Sequence, residues 1–519
     1  MSNDALDAVA LALCCLALAA SFIRWLRVAQ REHYLAGTVS RFAFRWWASG
    51  VANRVLLLIG VAAAVLSAWR ALAALGTVVV TGGGPIGLGL RGRTSKLNWT
   101  PRLRRLAATG TVIFVIAVAV PAFFGLHPAV TAAALSALAA PVVVDLALAI
   151  ARPVEGRLLA PYVERARRRL VSLGPRVVAI TGSYGKTTTK GYIAHLLSGT
   201  FSVVATPASF NNTAGLARAV NEHLSAGTQV FVAEMGTYGP GEISEMCRWA
   251  TPEVAVITAI GPVHLERMKT LERIAEAKAE ILGEAGTAIL NVDYPLLEQL
   301  ADKAEEEGKT VWRCSSGGST ADVRAIADGG GLRVVAKYLG AEMDVVVPGL
   351  PGAEPGNVAC AVAAALALGV PPEVVAGRVA TLPGAPHRRS IEIASNGSTV
   401  IDDTYNSNPA GAKSALSLLA TLGSAGGKGK RVVVTPGMVE LGPIQARENA
   451  NFVASAASVA DLLVIVGRTN AKALEAGARA GNLATRRSRN RAAAVAFLSG
   501  ELGDGDAVLF ENDLPDHYP

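Results

Sequence analysis

Chemistry is most legible in seven consecutive residues, Gly182-Ser183-Tyr184-Gly185-Lys186-Thr187-Thr188. Glycines let the chain turn tightly and bring backbone N–H groups close to an anion. Lys186 can reach the outer phosphates of a nucleotide, and the hydroxyl of Thr187 can hold Mg2+. The loop is shorter than the general phosphate loop: two residues separate its glycines where that loop has four. Three more positions could join it. Glu234 ends the apolar run Val230–Ala233, and a carboxylate at a strand's C-terminal edge suits a Mg2+ ligand or a general base. His264 follows Thr258-Ala-Ile-Gly-Pro-Val in another strand-then-loop pattern. Lys278 is the one lysine among apolar positions of the helical stretch 274–281. Taken singly, these read equally as a loop glutamate, a capping histidine and a solvated helix lysine.

The elements that must position these residues are visible around them. The run Val177–Ile180 reads as a buried strand and Lys190–Leu197 as a helix, so the glycines join a strand to a helix N-terminus, where backbone amides and the helix dipole favour a phosphate. Short apolar strands then alternate with Ala-rich helical stretches, at 230–233, 254–257, 288–291, 432–435 and 462–466, which predicts parallel α/β layers. The interval 310–347 is richer in strand, with Gly-Gly-Gly at 329–331 as a hairpin-like turn. Leu382-Pro383-Gly384 marks a boundary before a new strand.

Length and composition set the frame. A chain of 519 residues predicts three or four domains. With 51% hydrophobic residues and a mean hydropathy of +0.37, it is too apolar to be wholly soluble. The excess lies in four runs, Ala5–Leu26, Val51–Val80, Leu106–Leu126 and Pro128–Ile150, against the roughly 20 apolar residues that a bilayer span needs. Asp4 and Asp7 stand at the start of the first run and Arg24, Arg27 and Arg31 at and beyond its end, which is not the order of a cleavable signal and places the following segment in the cytoplasm. The segment after the second run is also arginine-rich. Arg70 interrupts that run, so it reads as one span, a span plus an interfacial piece, or a re-entrant pair; the hairpin reading leaves both basic segments on one side. Asp145, inside the last run, reads as a functional carboxylate or as a packing or snorkelling residue. The net charge of +8 is explained by arginines beside anionic lipid, and no aromatic-basic pattern points to nucleic acid. Five scattered cysteines exclude a disulfide framework and fit a reducing compartment.

One family joins these pieces. Thr181-Gly-Ser-Tyr-Gly-Lys-Thr-Thr-Thr189, Asn211-Asn212-Thr-Ala-Gly215, Glu234-Met-Gly236, His264-Leu-Glu266, Ala277-Lys278-Ala-Glu-Ile281, His387-Arg388, Asp402-Asp-Thr-Tyr-Asn-Ser-Asn-Pro409 and Met438-Val-Glu-Leu-Gly442 occur in an order and at intervals that resemble the Mur ligases, ATP-dependent amide ligases of cell-wall synthesis, most closely the MurF branch. The resemblance covers about residues 161–519. It implies ATP and two Mg2+ ions as cofactors. Gly182, Ser183, Tyr184, Gly185, Lys186, Thr187 and Thr188 would bind the phosphates. Thr187, Glu234 and His264 would hold Mg2+, and Lys278 would be carbamylated and support the second ion. Asn357 would contact the nucleotide, and Arg388 and Asp403 would close over it from the C-terminal domain. Lys186, Lys278, His264 and Glu234 would be the catalytic set.

The departures bear on substrate. The family's N-terminal UDP-binding domain is absent and a membrane region stands in its place. Cys360 occupies the position of an adenine-contacting Asn, Gly437 that of an Asp, and the ending from Phe510 lacks a Lys-Gly-Ser turn. The expected protein is α/β: N-terminal transmembrane helices (1–151), a basic connecting helix (152–175), a Mur ligase central P-loop ATPase domain (176–383) and a C-terminal Rossmann-like domain (384–519). The expected activity is ligation of an amino acid or short peptide amine to a carboxylate of the cell envelope, at the bacterial inner membrane with the ligase domains in the cytoplasm. The expected partners are ATP, the acceptor and amine, membrane lipid and other envelope proteins, without nucleic acid. The alternatives are a poly-γ-glutamate-synthase-like ligase and a membrane-tethered, non-ligating NTPase scaffold.

Overall fold

The computed structural model describes residues 3–90, 97–207, 210–318, 320–328, 331–338, 341–348, 353–384, 389–405, 407–422 and 429–514. The chain forms two compact units, one of N-terminal helices ending at Leu159 and one running from Ala160 to Asp513.

The first unit contains α1 (Asn3–Arg31), α2 (Thr38–Ala48), α3 (Val51–Leu66), α4 (Ala74–Gly83), α5 (Pro101–Ala122) and the start of α6 (Leu126–Leu173). By length and composition, α1, α5 and α6 suffice to cross a membrane, and α2 with α3, bent by 113° at their junction, would make a fourth. The interrupted second run is a helical hairpin rather than one continuous helix. Arg70 is exposed at its turn, and Thr77 Oγ1 of α4 donates to Gly60 O of α3 at 3.0 Å. The arginines expected in the loop after the first run lie inside α1. Arg24 is buried, and its guanidinium donates to the carbonyls of Thr81, Gly82 and Leu88 at 2.8–3.0 Å, satisfying backbone acceptors at the hairpin's exit. Asp145 resolves toward packing. Its carboxylate accepts from the amides of Val39 (3.2 Å) and Ser40 (2.7 Å), capping α2 from another helix where the local N-cap, Gly37, has no side chain. The basic stretch 152–175 continues α6 without a break.

The second unit alternates strand and helix: β1 (Arg176–Thr181), α7 (Lys186–Leu197), β2 (Val203–Ala205), α8 (Thr213–His223), β3 (Val230–Glu234), α9 (Glu242–Cys247), β4 (Val254–Ile257), α10 (Leu265–Met268), α11 (Leu271–Ala279), β5 (Thr287–Asn291), α12 (Pro295–Glu306), β6 (Thr310–Ser315), β7 (Val323–Asp328), β8 (Gly331–Tyr338), β9 (Ala341–Pro348), α13 (Pro355–Ala367) and α14 (Pro372–Val379). Its first sheet has the order β2-β3-β1-β4-β5-β6-β7-β8-β9, parallel through β7 and antiparallel in the β7–β8–β9 meander. Residues of β1 alternate between two cores. Val177 and Ala179 pack with α8, α11 and α12, while Val178 and Ile180 pack with α7 and α13. A strand buried on both faces must be apolar throughout, which is why no polar residue interrupts 177–180.

A second sheet uses β10 (Ser390–Ile393), β11 (Thr399–Asp403), β12 (Arg431–Thr435), β13 (Leu462–Val466), β14 (Ala484–Ser488) and β15 (Ala507–Glu511) in the order β10-β11-β15-β12-β13-β14. All its pairs are parallel except β10–β11. It is flanked by α15 (Pro409–Leu422), α16 (Gln445–Ala456), α17 (Ala471–Ala480) and α18 (Arg491–Glu501). Both sheets therefore place loops at the C-terminal edges of parallel strands, where open α/β sheets receive ligands.

Candidate active site

The loop after β1 is held in a shape that only glycine allows at two positions. Gly182 has φ +156° and Gly185 φ +84°. A Cβ at the first would run into Thr258 Oγ1, and one at the second into Asn357 Oδ1. Ser183 N donates to Ala259 O at 2.8 Å, and its hydroxyl exchanges hydrogen bonds with the backbone of Gly261. Tyr184 leans edge-on to Tyr294 at 6.0 Å, and burial raises the pKa of its phenol. α7 begins at Lys186, so its unpaired N-terminal amides open onto the loop. Lys186 Nζ folds back to Gly182 O at 2.6 Å, and Thr188 lies in the same first turn.

Glu234 stands one strand away, opposite Ile180 in the β1–β3 register. It is 1% exposed. Its Oε2 accepts from Thr187 Oγ1 (3.0 Å) and from Lys190 Nζ (3.0 Å), and Oε1 from Asn211 Nδ2 (3.3 Å). Thr187 and Glu234, both expected at the metal, are thus joined directly by a hydrogen bond. Lys190 is an addition that sequence reading missed. It lies one helical turn after Lys186, a spacing that puts both ammonium groups on one face, and that was the available signal.

Lys278 is 3% exposed on α11. Burial, and then the nearby charge of Lys186, hold its pKa well below the usual lysine value. Such a shift favours the neutral, nucleophilic amine over the ammonium. Among the described residues, no three His, Cys, Asp or Glu side chains are grouped as a ready metal cage.

His264, in the left-handed region at φ 62°, makes its polar contact with the second sheet's loops: Nδ1 lies 2.5 Å from Glu440 Oε2, and Tyr238 stacks edge-on at 5.0 Å. No hydrogen bond joins it to Glu234 among the described residues. Asn357 lies against Gly185 at the start of α13, and Cys360 is buried in the same helix. Asp403 ends β11 opposite Glu511 of β15. Arg388 lies outside the described residues.

Residues 180–368 match the Mur ligase middle domain, and residues 388–511 the Mur ligase glutamate ligase domain. The UDP-N-acetylmuramoyl-tripeptide–D-alanyl-D-alanine ligase of Mycobacterium leprae is 31% identical over 384 residues, covering 68% of this chain and 74% of the relative. The Bacillus subtilis enzyme of the same name is 33% identical over 283 residues, and the chain spans only 60% of its length. Among solved structures, MurF from Acinetobacter baumannii aligns with a TM-score of 0.59 at 26% identity, covering 68% of this chain and 77% of that one. MurF ligase from Thermotoga maritima in complex with ADP aligns with a TM-score of 0.58 at 25% identity, covering 68% and 80%.

Proposed function

This chain belongs to the Mur ligase family of ATP-dependent, ADP-forming ligases, and from that premise we propose that it forms an amide bond in peptidoglycan synthesis, at the inner face of the bacterial cytoplasmic membrane. The observation that carries the reading is the meeting of a phosphate-loop lysine, a hydroxyl–carboxylate pair and a buried low-pKa lysine around one strand edge.

A carboxylate is a poor electrophile, and transfer of the γ-phosphoryl group of ATP makes it an acyl phosphate. The lone pair of an amine then attacks the acyl carbon, the C–O bond to phosphate breaks, phosphate leaves, and the amine's proton passes to a base. In this reading the loop amides of 182–188 orient the phosphates and Lys186 turns from Gly182 O to the transferring group. Thr187, Glu234 and His264 would hold Mg2+, and carbamylated Lys278 would support a second ion; bound Mg2+ would supply charge neutralisation on the transferring phosphoryl group. Exclusion of water by the C-terminal domain protects the acyl phosphate. The donor set fits hard cations: the Thr187 hydroxyl and the Glu234 carboxylate lie within hydrogen-bond distance of each other, and the histidine's Nδ1 is committed to Glu440, leaving Nε2.

The acceptor is proposed to be membrane-associated, a lipid-linked precursor or growing polymer. The support is the apolar helical unit that precedes the ligase unit, since tethering would raise the effective concentration of a lipid-linked acceptor. The test gives detergent-purified protein ATP, D-alanyl-D-alanine and either UDP-MurNAc-tripeptide or envelope lipid extract. Amide formation with the extract, lost in Lys186→Ala, is expected. Robust ligation to the UDP-linked tripeptide, at a rate indifferent to removal of residues 1–150, would instead make the helical unit a mere anchor on a MurF-type reaction.

A further inference from the structure

We infer that Glu440 is a positioning residue that latches the C-terminal domain onto the histidine loop of the central domain, and that the neighbouring buried polar network exists to present it. The inference rests on the ligase reading for its kinetic consequence, but its geometry stands alone.

The latch has three points of contact. Glu440 Oε2 accepts a hydrogen bond from His264 Nδ1 at 2.5 Å, its backbone O accepts from Glu266 N at 3.3 Å, and Gly442 packs on the Glu266 backbone, with room for a Cβ only at 3.3 Å from Glu266 Cα. Glu440 itself is left-handed, at φ 63°, a conformation that a side-chain-bearing residue adopts only when its surroundings hold it.

Those surroundings are unusually complete. The backbone of Pro436, Gly437 and Met438, just before Glu440, is held by buried side chains. Gly437 N donates to Thr435 Oγ1 (2.9 Å), and Gly437 O accepts from Asn512 Nδ2 (2.7 Å). Met438 N donates to Asn449 Oδ1 (2.8 Å), while Met438 O accepts from Asn449 Nδ2 and Asn470 Nδ2, both at 3.0 Å. Asn470 Nδ2 also reaches Pro436 O at 3.0 Å. A Cβ at Gly437 would run into Asn449 and Asn470. The glycine found where the family carries an aspartate is therefore what lets two asparagines close on the segment. A fully satisfied network of this kind fixes one geometry.

The consequence is directional. With Nδ1 committed to Glu440, Nε2 is the ring nitrogen left for another partner, and the ring is held this way only while the two domains are together.

The experiment is amide exchange by mass spectrometry on the full-length protein in detergent, without nucleotide, for Glu440→Ala and Glu440→Gln, together with steady-state kinetics. Glutamine keeps an acceptor oxygen for His264; alanine does not. The expected result for Glu440→Ala is exchange on the order of tenfold faster in peptides covering 262–268 and 436–442. Its kcat should fall ~10- to 100-fold, with KM for ATP little changed. Glu440→Gln should restore most of both. Unchanged exchange in Glu440→Ala, or a glutamine variant as impaired as the alanine one, overturns the latch. Wild-type protein that consumes no ATP in the presence of amine and envelope extract overturns the ligase reading instead, and leaves the exchange comparison decisive for the latch.

Discussion

Two lysines at the site carry different predictions. Lys190 and Glu234 form an ion pair whose side chains are 7% and 2% exposed. Removing one partner of a buried pair leaves an uncompensated charge, which costs about 3–5 kcal/mol. Lys190→Met should therefore lower the midpoint of denaturant unfolding of the ligase unit, and adding Glu234→Gln should recover most of it, because both partners are then neutral. A double variant no more stable than Lys190→Met would show that the pair is not coupled. Lys278 makes the opposite kind of case. Its neighbourhood favours the neutral amine that reacts with CO2, so Lys278→Arg should be as inactive as Lys278→Ala. Short carboxylates such as formate or acetate added to the alanine variant should restore part of the ligation rate. A fully active arginine variant would return Lys278 to an ordinary buried lysine.

At the scale of the element, the end of β15 holds a second buried acid. Glu511 lies under Ser407 and Thr435, with Thr435 Oγ1 donating to its Oε2 at 2.6 Å. Burial pushes its pKa up to about 8, the Thr435 hydrogen bond works against that, and Asp403 on the adjacent strand adds to it. The sign follows from linkage. Between the unfolded value near 4.5 and the folded value near 8, the native chain holds a proton that the unfolded chain has released, so stability falls as pH rises through that window and levels off above it. The slope from this one group is on the order of 1 kcal/mol per pH unit. Glu511→Gln keeps the shape and removes the titration; chemical denaturation from pH 5 to pH 8 should be flatter in the variant and more favourable at the alkaline end. Parallel slopes in the two proteins would place the proton elsewhere. The sheet edge explains the burial: β15 lies between β11 and β12, so its last side chain is enclosed from both sides.

For the whole molecule, the two units are chemically unlike, one of apolar helices and one of doubly wound sheets. If α5 and α6 cross the bilayer and the ligase unit faces the cytoplasm, the short connection at Phe123–Gly125, whose two phenylalanines are strongly exposed, lies outside. A cysteine placed at Gly125, in a background where the exposed Cys15 is serine, should react with a membrane-impermeant maleimide on intact cells. One placed at Lys430, between sheet strands of the ligase unit, should react only after lysis. Labelling of both from outside, or of neither, would overturn the proposed orientation.

Local sequence was enough for features that depend on near neighbours in the chain. The apolar run 177–180 had to be a strand buried on both faces, the glycines at 182 and 185 had to turn where side chains could not fit, and the ordered motifs indicated the family. Register and pairing across distance were not written locally. Lys190 became a partner of Glu234 only because β1 and β3 are adjacent and α7 returns over them. Arg24 looked like a loop charge, and Asp145 like either a functional carboxylate or a packing residue. Tertiary packing made one a clasp for backbone carbonyls and the other a helix cap, because buried polar groups must find partners wherever the fold brings them. The meeting of His264 with Glu440, 176 residues apart, was decided by how two separately wound sheets present their loops, and no spacing in the chain encodes that.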